Sequence, residues 1–282
     1  MRGSAPSGIE RKIQSAVTLI GDCRGAVVAL SAGVDSSLVA LLAYKALGDH
    51  VIAITGVSES LSEGELATAR KTAREIGIRH ETVRTRELAN LDYSSNPNDR
   101  CFYCKETLYG ELRRIADNWG FQAVLDGTQT DDLGDDRPGL RAAREAHVLS
   151  PLLVSSFTKA DVREAARVLG LSVWDKPATP CLSSRIAHGQ EITSEKLRMV
   201  DQAESYIKRL TGVKDLRVRY NEAGARIEVS PDEKRIFFDV RLMSQVDGEL
   251  RRLGFKSVAL DMRGLSRREK VDSRDAMVLP MA

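Results

Sequence analysis

Two sets of residues in this chain of 282 have the types and spacing that chemistry requires. The first is Leu30-Ser31-Ala32-Gly33-Val34-Asp35-Ser36-Ser37, between an apolar run and a helical pattern. Small residues let the backbone approach a ligand, a helix start offers unpaired N–H groups and partial positive charge, and serines add hydroxyls. That combination suits a phosphate or pyrophosphate, and the plainer reading is a capped helix after a strand. The chain lacks Gly-Lys-Ser/Thr, which disfavours an ordinary P-loop hydrolase. Asp126-Gly127-Thr128-Gln129-Thr130-Asp131-Asp132 forms a second candidate turn. Its Gly127 permits close approach to a nucleotide, and acids such as Asp131 suit Mg²⁺ held through waters.

The second set is the cysteines, Cys23, Cys101, Cys104 and Cys181. Cys101-Phe102-Tyr103-Cys104 opens a helical pattern, so its two thiols share a face, at a helix start that favours thiolate. They suit zinc, an iron–sulfur cluster, a redox pair or two inert thiols. Cys181 lies in Lys176-Pro177-Ala178-Thr179-Pro180-Cys181-Leu182-Ser183-Ser184-Arg185, a stiff polar loop whose Arg185 favours thiolate and can pair with phosphate. A third thiolate converging on the pair would suit a cubane cluster with one open iron. Cys23 reads as packing.

The elements that must position these groups alternate. Helical periodicity over 9–22 precedes the apolar run Ala26–Leu30, then a helix carrying Leu38, Leu41, Leu42 and Ala46, then the apolar run Val51–Thr55. A helix at 63–76, a short strand at 80–83, a helix at 101–119 and a strand at 123–126 follow. Continuous apolar runs between helices predict a parallel sheet wrapped on both faces, α/β in class. Ligands of such sheets sit at the carboxyl strand ends, so the turns after Leu30, Thr55 and Asp126 are expected to face one site. After a helix at 161–169 started by Thr158 comes a Pro-, Ser- and Gly-rich segment at 174–190 with no clear periodicity. Beyond it are a helix from Thr193 to about Leu210, strands at 216–220 and 225–229, a helix near 232–253 and a strand at 256–260, a small α+β domain. The expected organisation is a flexible tail at 1–8, the nucleotide domain at 9–187, the small domain at 188–265 and a tail at 266–282.

Lys plus Arg is 42 against 40 Asp plus Glu, a net charge of +2, and aromatics are 5%. That balance argues against a nucleic-acid platform, which needs a basic surface with stacking rings. No apolar run approaches the ~18 residues of a membrane span, and the first eight residues lack a secretory stretch. A cytoplasmic enzyme without disulfide staples is expected.

Residues 31–37 resemble the Ser-Gly-Gly-x-Asp-Ser signature of PP-loop ATP pyrophosphatases, with Ala32 where glycine is usual. More specific are Asp99-Arg100-Cys101-Phe102-Tyr103-Cys104-Lys105, Asp126–Asp132, Asp135-Asp136-Arg137-Pro138-Gly139-Leu140 and Lys176–Arg185. Together with Ile192–Leu197 and Leu216–Tyr220 they resemble the LarE family, ATP-dependent sulfur transferases of nickel-pincer nucleotide biosynthesis, over about residues 10–262. The resemblance implies adenylation of the carboxylates of pyridinium-3,5-biscarboxylic acid mononucleotide, loss of pyrophosphate and formation of thiocarboxylates. One branch sacrifices a single cysteine at the position of Cys181; the other holds a [4Fe-4S] cluster on three cysteines, and Cys101, Cys104 and Cys181 match the second.

By the same resemblance ATP and Mg²⁺ are the other cofactors. Leu30, Ser31, Gly33, Val34, Asp35, Ser36, Ser37, Thr55, Gly127 and Asp131 hold the nucleotide, with Asp35 also in the catalytic set beside the cysteines. Lys105, Ser184, Arg185, Arg217, Arg219 and Glu228 bind the mononucleotide substrate, although Arg217 and Arg219 also read as a solvated strand face. A homo-oligomer, trimer or hexamer, is implied, with a transient sulfide donor or neighbouring cofactor-biosynthesis enzymes as partners. The rival functions are a PP-loop tRNA thiolase, an adenylating amidotransferase-type synthetase, and a nucleotide sensor without turnover.

Overall fold

The computed structural model describes residues 7–134, 138–222 and 224–265. The expected tails, apart from Ser7 and Gly8, lie outside the described residues, as do Asp135, Asp136 and Arg137 and the basic stretch beyond Leu265. The chain divides into two compact units, Met1–Ser184 with His188–Leu197, and Arg185–Ala187 with Arg198–Ala282.

The first unit runs α1 (Gly8–Gly21), β1 (Ala26–Ala29), α2 (Val34–Leu47), β2 (Val51–Val57), α3 (Glu63–Ile76), β3 (Arg79–Arg84), α4 (Leu91–Ser94) and α5 (Arg100–Trp119). It continues through β4 (Ala123–Leu125), α6 (Pro138–Glu145), α7 (Pro151–Val154) and α8 (Lys159–Val168). The short helices α4, α6 and α7 were not anticipated from periodicity, which needs more turns than they have. The four strands form a parallel sheet in the order β3-β2-β1-β4. Ala26 and Val28 pack into a core with α1, α2 and α8, while Val27, Ile52, Ile54 and Val124 pack with α5 and α6 on the other face. Cover on both faces is why the strands read as unbroken apolar runs rather than alternating ones. The chain leaves β1 toward β2 on one side and returns to β4 on the other, so the topological switch point lies between β1 and β4. The turns after those two strands are the two candidate nucleotide turns.

The second unit takes most of α9 (Ser194–Thr211), then β5 (Leu216–Asn221), β6 (Gly224–Val229), α10 (Val240–Arg252) and β7 (Ser257–Leu260). Its sheet has the order β5-β6-β7, antiparallel then parallel. The helix expected near 232–253 is two elements. Pro231–Phe238 is a 3-10 stretch, and α10 starts afresh where the Asp239 carboxylate accepts from the N–H groups of Arg241 and Leu242. A side chain that caps a helix competes with running through it. Among the described residues, no helix is long and apolar enough to cross a membrane.

Candidate active site

The turn after β1, the candidate phosphate cradle, bends sharply. Ala32 sits at φ 61°, the left-handed region that favours glycine, with its methyl group fully buried in the core. That conformation costs an alanine about 1–2 kcal/mol, offset in part by the buried methyl. Gly33 then caps α2 without a side-chain acceptor, so the amides of the first turn are not consumed by a cap. Ser36 and Ser37 are buried and both donate to the Gly33 carbonyl, at 3.1 and 2.8 Å. Ser31 Oγ lies 3.1 Å from Ser36 Oγ and belongs to an exposed residue. The cradle therefore presents backbone N–H groups and Ser31, and uses the other two serines to hold its shape.

Three further segments close around it. Thr55 is buried, donating to the Leu30 carbonyl at 2.8 Å and standing 2.9 Å from His80 Nε2, so it braces the β1 end. Burial, aided by Arg70, holds the His80 pKa below its ordinary value. Gly127 approaches backbone rather than open space: an added Cβ would lie 2.7 Å from Ser36 N and 2.9 Å from the Asp35 carbonyl carbon. Neither atom can swing away as a side chain does. Gly127→Ala is expected to destabilise the protein by about 2 kcal/mol and to weaken ATP binding about tenfold, read by thermal unfolding and nucleotide titration. An unchanged melting temperature and affinity would contradict the packing.

The structure adds two lysines that sequence patterning missed. Lys159 Nζ lies 2.5 Å from Asp35 Oδ2, and its backbone N–H donates to Asp131 Oδ2 at 2.8 Å. Lys176 Nζ donates to the Ala32 carbonyl at 3.0 Å and pairs with Glu65 at 2.8 Å. Both cations stand at the cradle, where a polyphosphate needs them. Asp131 is thus spent on capping Lys159, and Asp132 accepts from Gln129 N. Asp35 Oδ1, by contrast, is buried without a hydrogen-bond partner among the described residues. An orphaned carboxylate oxygen beside a phosphate cradle fits Mg²⁺, which takes one or two protein carboxylates and completes its shell with phosphates and waters.

The thiols gather in the same unit. Cys101 and Cys104 lie in the first turn of α5, and Cys101 and Cys181 are exposed. None of the four cysteines forms a disulfide among the described residues. The Cys181 loop is tethered at both ends, by Lys176 on the phosphate cradle and by Leu182 N donating to the Ser60 carbonyl at 2.9 Å. Beyond it the Ser183 and Tyr93 hydroxyls meet at 2.6 Å. Burial, then Glu87, Cys181 and Cys101, push the Cys104 thiol well above its ordinary range. Cys181 and Cys101 lie near enough to Cys104 to act on its charge. Glu87 is itself buried, its Oε1 accepting from Ser58 at 2.6 Å and Ser60 at 3.2 Å. Among the described residues no group of three or more His, Cys, Asp or Glu is placed to hold a single metal ion. Three soft sulfurs are the type of donor set an iron–sulfur cluster takes.

Lys105 follows Cys104 and donates to Tyr109 Oη at 2.9 Å. Ser184 closes a turn by donating its N–H to the Cys181 carbonyl at 3.0 Å. In the C-terminal unit Arg185 is buried and paired with Glu204, at 2.8 Å from Nε; Glu204 was not singled out from sequence. Arg219 pairs with Glu228 at 2.9 Å, and Arg226 reaches the same carboxylate at 2.9 Å. Arg217 has no ion-pair partner among the described residues. Burial and the like charges of Arg219 and Arg185 lower its pKa, so an anion there is stabilising.

The NAD synthase family model matches residues 7–101, the segment that carries the phosphate cradle. An uncharacterized protein of Synechocystis sp. is 43% identical over 256 residues, 91% of this chain and 95% of its own. A glutamine-hydrolyzing GMP synthase chain of Pyrococcus abyssi is 26% identical over 214 residues, 71% of this chain and 68% of its own. The pyridinium-3,5-bisthiocarboxylic acid mononucleotide synthase of Lactiplantibacillus plantarum is 37% identical over 249 residues, 88% of this chain and 89% of its own. With a relative that similar across nearly its whole length, and with the cradle and fold of PP-loop enzymes, this chain belongs to the LarE family of ATP-dependent sulfur transferases.

Proposed function

We propose that the enzyme adenylates the carboxylates of pyridinium-3,5-biscarboxylic acid mononucleotide and converts them to thiocarboxylates, with Cys101, Cys104 and Cys181 holding a [4Fe-4S] cluster. The carrying observation is the tethered loop, which starts on the phosphate cradle at Lys176 and brings Cys181 into the field of Cys104. Activation and sulfur delivery must occur within a few ångströms of one carbon, so the two machineries have to adjoin.

A substrate carboxylate oxygen attacks the α-phosphorus of ATP, and the bond to pyrophosphate breaks. Cradle amides, Ser31, Lys159 and Lys176 take the charge of the departing pyrophosphate, and Asp35 would hold Mg²⁺ against it. The acyl adenylate then loses AMP as a sulfide forms the new C–S bond. The cluster, when bound, supplies an open iron that can carry that sulfide. Lys105 stands beside Cys104 as a cation for the acyl oxygen, and Arg217 and Arg219 suit the substrate phosphate or its second carboxylate. A homo-oligomer belongs to this reading, supported by the exposed apolar side chains of Phe238, Val240 and Met243.

Anaerobically purified protein is expected to contain iron and acid-labile sulfide and to yield AMP, pyrophosphate and a thiocarboxylate from ATP, sulfide and the biscarboxylate mononucleotide. Iron-free protein that instead loses the mass of H₂S at Cys181 after turnover would make the cysteine sacrificial.

A further inference from the structure

The proton donors along one buried line have only one consistent assignment. An ammonium can only donate, so Tyr109 Oη accepts from Lys105 Nζ at 2.9 Å and must pass its own proton on. It does so to Asp126 Oδ2 at 2.8 Å. Asp126 accepts as well from Thr128 N at 3.1 Å, Thr128 Oγ1 at 2.8 Å and Ser150 Oγ at 2.7 Å. Four donors on two oxygens saturate that carboxylate, and both Tyr109 and Asp126 are almost wholly buried, at 1% and 2% exposure. Neither end of the Tyr109 hydroxyl can turn elsewhere.

We propose that Tyr109 and Asp126 are positioning residues that aim the Lys105 ammonium at the reacting carboxyl group of the substrate. The inference rests on the sulfur-transfer reading above, in which Lys105 meets the acyl oxygen. A free lysine carries a flexible four-carbon stem and loses much of its freedom on binding. Here the stem is held before any ligand arrives. The bond to Tyr109 fixes its end, and the ammonium is 5.1 Å from the Tyr109 ring centre. Two of its three N–H groups stay uncommitted among the described residues. The anchor is not local to α5 either. Asp126 opens the turn whose Gly127 is packed on Asp35 and Ser36, so the ammonium is registered to the phosphate cradle through Tyr109 and Asp126. That registration is what transfer from an adenylate to a thiocarboxylate needs, because both steps act on one carbon.

The test is a double-mutant cycle of Tyr109→Phe and Lys105→Ala in the full-length protein, with thiocarboxylate formation and the KM for ATP as readouts. Tyr109→Phe keeps the ring and removes only the hydroxyl. It is expected to lower kcat about tenfold to a hundredfold, as a displacement of about 1 Å does, with the KM for ATP unchanged. In the Lys105→Ala background the same change is expected to have no further effect, because Tyr109 acts through that lysine. Additive losses, or an undiminished kcat in Tyr109→Phe, overturn the inference. If Tyr109→Phe does not fold, Tyr109→Leu takes its place in the cycle with the same expectation. A wild-type protein that forms no thiocarboxylate overturns the sulfur-transfer reading and this inference with it, an outcome distinct from an active enzyme with an additive cycle.

Discussion

Replacing Cys181 with alanine is expected to cut thiocarboxylate formation by at least about a thousandfold, while pyrophosphate release from ATP and the mononucleotide continues near the wild-type rate. The separation follows from where the groups stand. The cradle built by Ala32, Gly33 and the start of α2, with Lys159 and Lys176, does not use the sulfur of Cys181. On the proposed cluster reading, Cys101→Ala and Cys104→Ala are expected to lose as much thiocarboxylate activity as Cys181→Ala, and each to lower iron content. Measuring pyrophosphate, thiocarboxylate and iron in the same three variants separates the cases. Activity that survives in Cys101→Ala and Cys104→Ala, with Cys181 losing the mass of H₂S, would mean that Cys181 works alone.

The elements that place these groups were legible because their cause is local. Ala26–Leu30 and Val51–Thr55 are covered on both faces, and that burial is written in consecutive residues. The helix that begins after the Ser31–Gly33 turn was legible for the same reason, as was the helix that carries Cys101 and Cys104. What sequence could not show is which way a hydroxyl or carboxylate faces. Ser36, Ser37 and Thr55 have the right type for phosphate contact, yet donate to the Gly33 and Leu30 carbonyls. Asp131 has the right type for a metal, yet caps Lys159. Lys159 left no pattern at all, since its partner Asp35 is 124 residues away in the chain. Tyr109 was not singled out from sequence, and its hydroxyl finds Asp126 only once β4 lies beside the helix. The helix expected near 232–253 failed for a different reason: Asp239 reads as a surface residue in a periodic stretch, and only its bonds to the N–H groups of Arg241 and Leu242 reveal a start.

Arg185→Ala is expected to lower the unfolding free energy of the C-terminal unit by about 3–5 kcal/mol, read by denaturant unfolding of the full chain. Read from the sequence, Arg185 clamps substrate; its geometry gives it a load to carry before substrate arrives. The guanidinium meets Glu204 at 2.8 Å through Nε and at 3.2 Å through a terminal nitrogen, and Glu204 also accepts from Val218 N at 3.0 Å. The side chains are 2% and 7% exposed. Water cannot reach the carboxylate to replace the arginine, so truncation leaves a buried charge with a single backbone donor from β5. Removing both charges by Arg185→Met with Glu204→Met is expected to recover much of the loss, because well-packed apolar side chains need no counter-charge. The two roles of Arg185 make opposite forecasts. A residue that only clamps substrate would raise the KM for the mononucleotide in Arg185→Ala and leave unfolding unchanged. A residue that holds Glu204, and through it β5, lowers stability first and disturbs Arg217 and Arg219 as a consequence, since both lie on that strand. Recovery of stability in the double variant without recovery of substrate affinity would show that Arg185 does both.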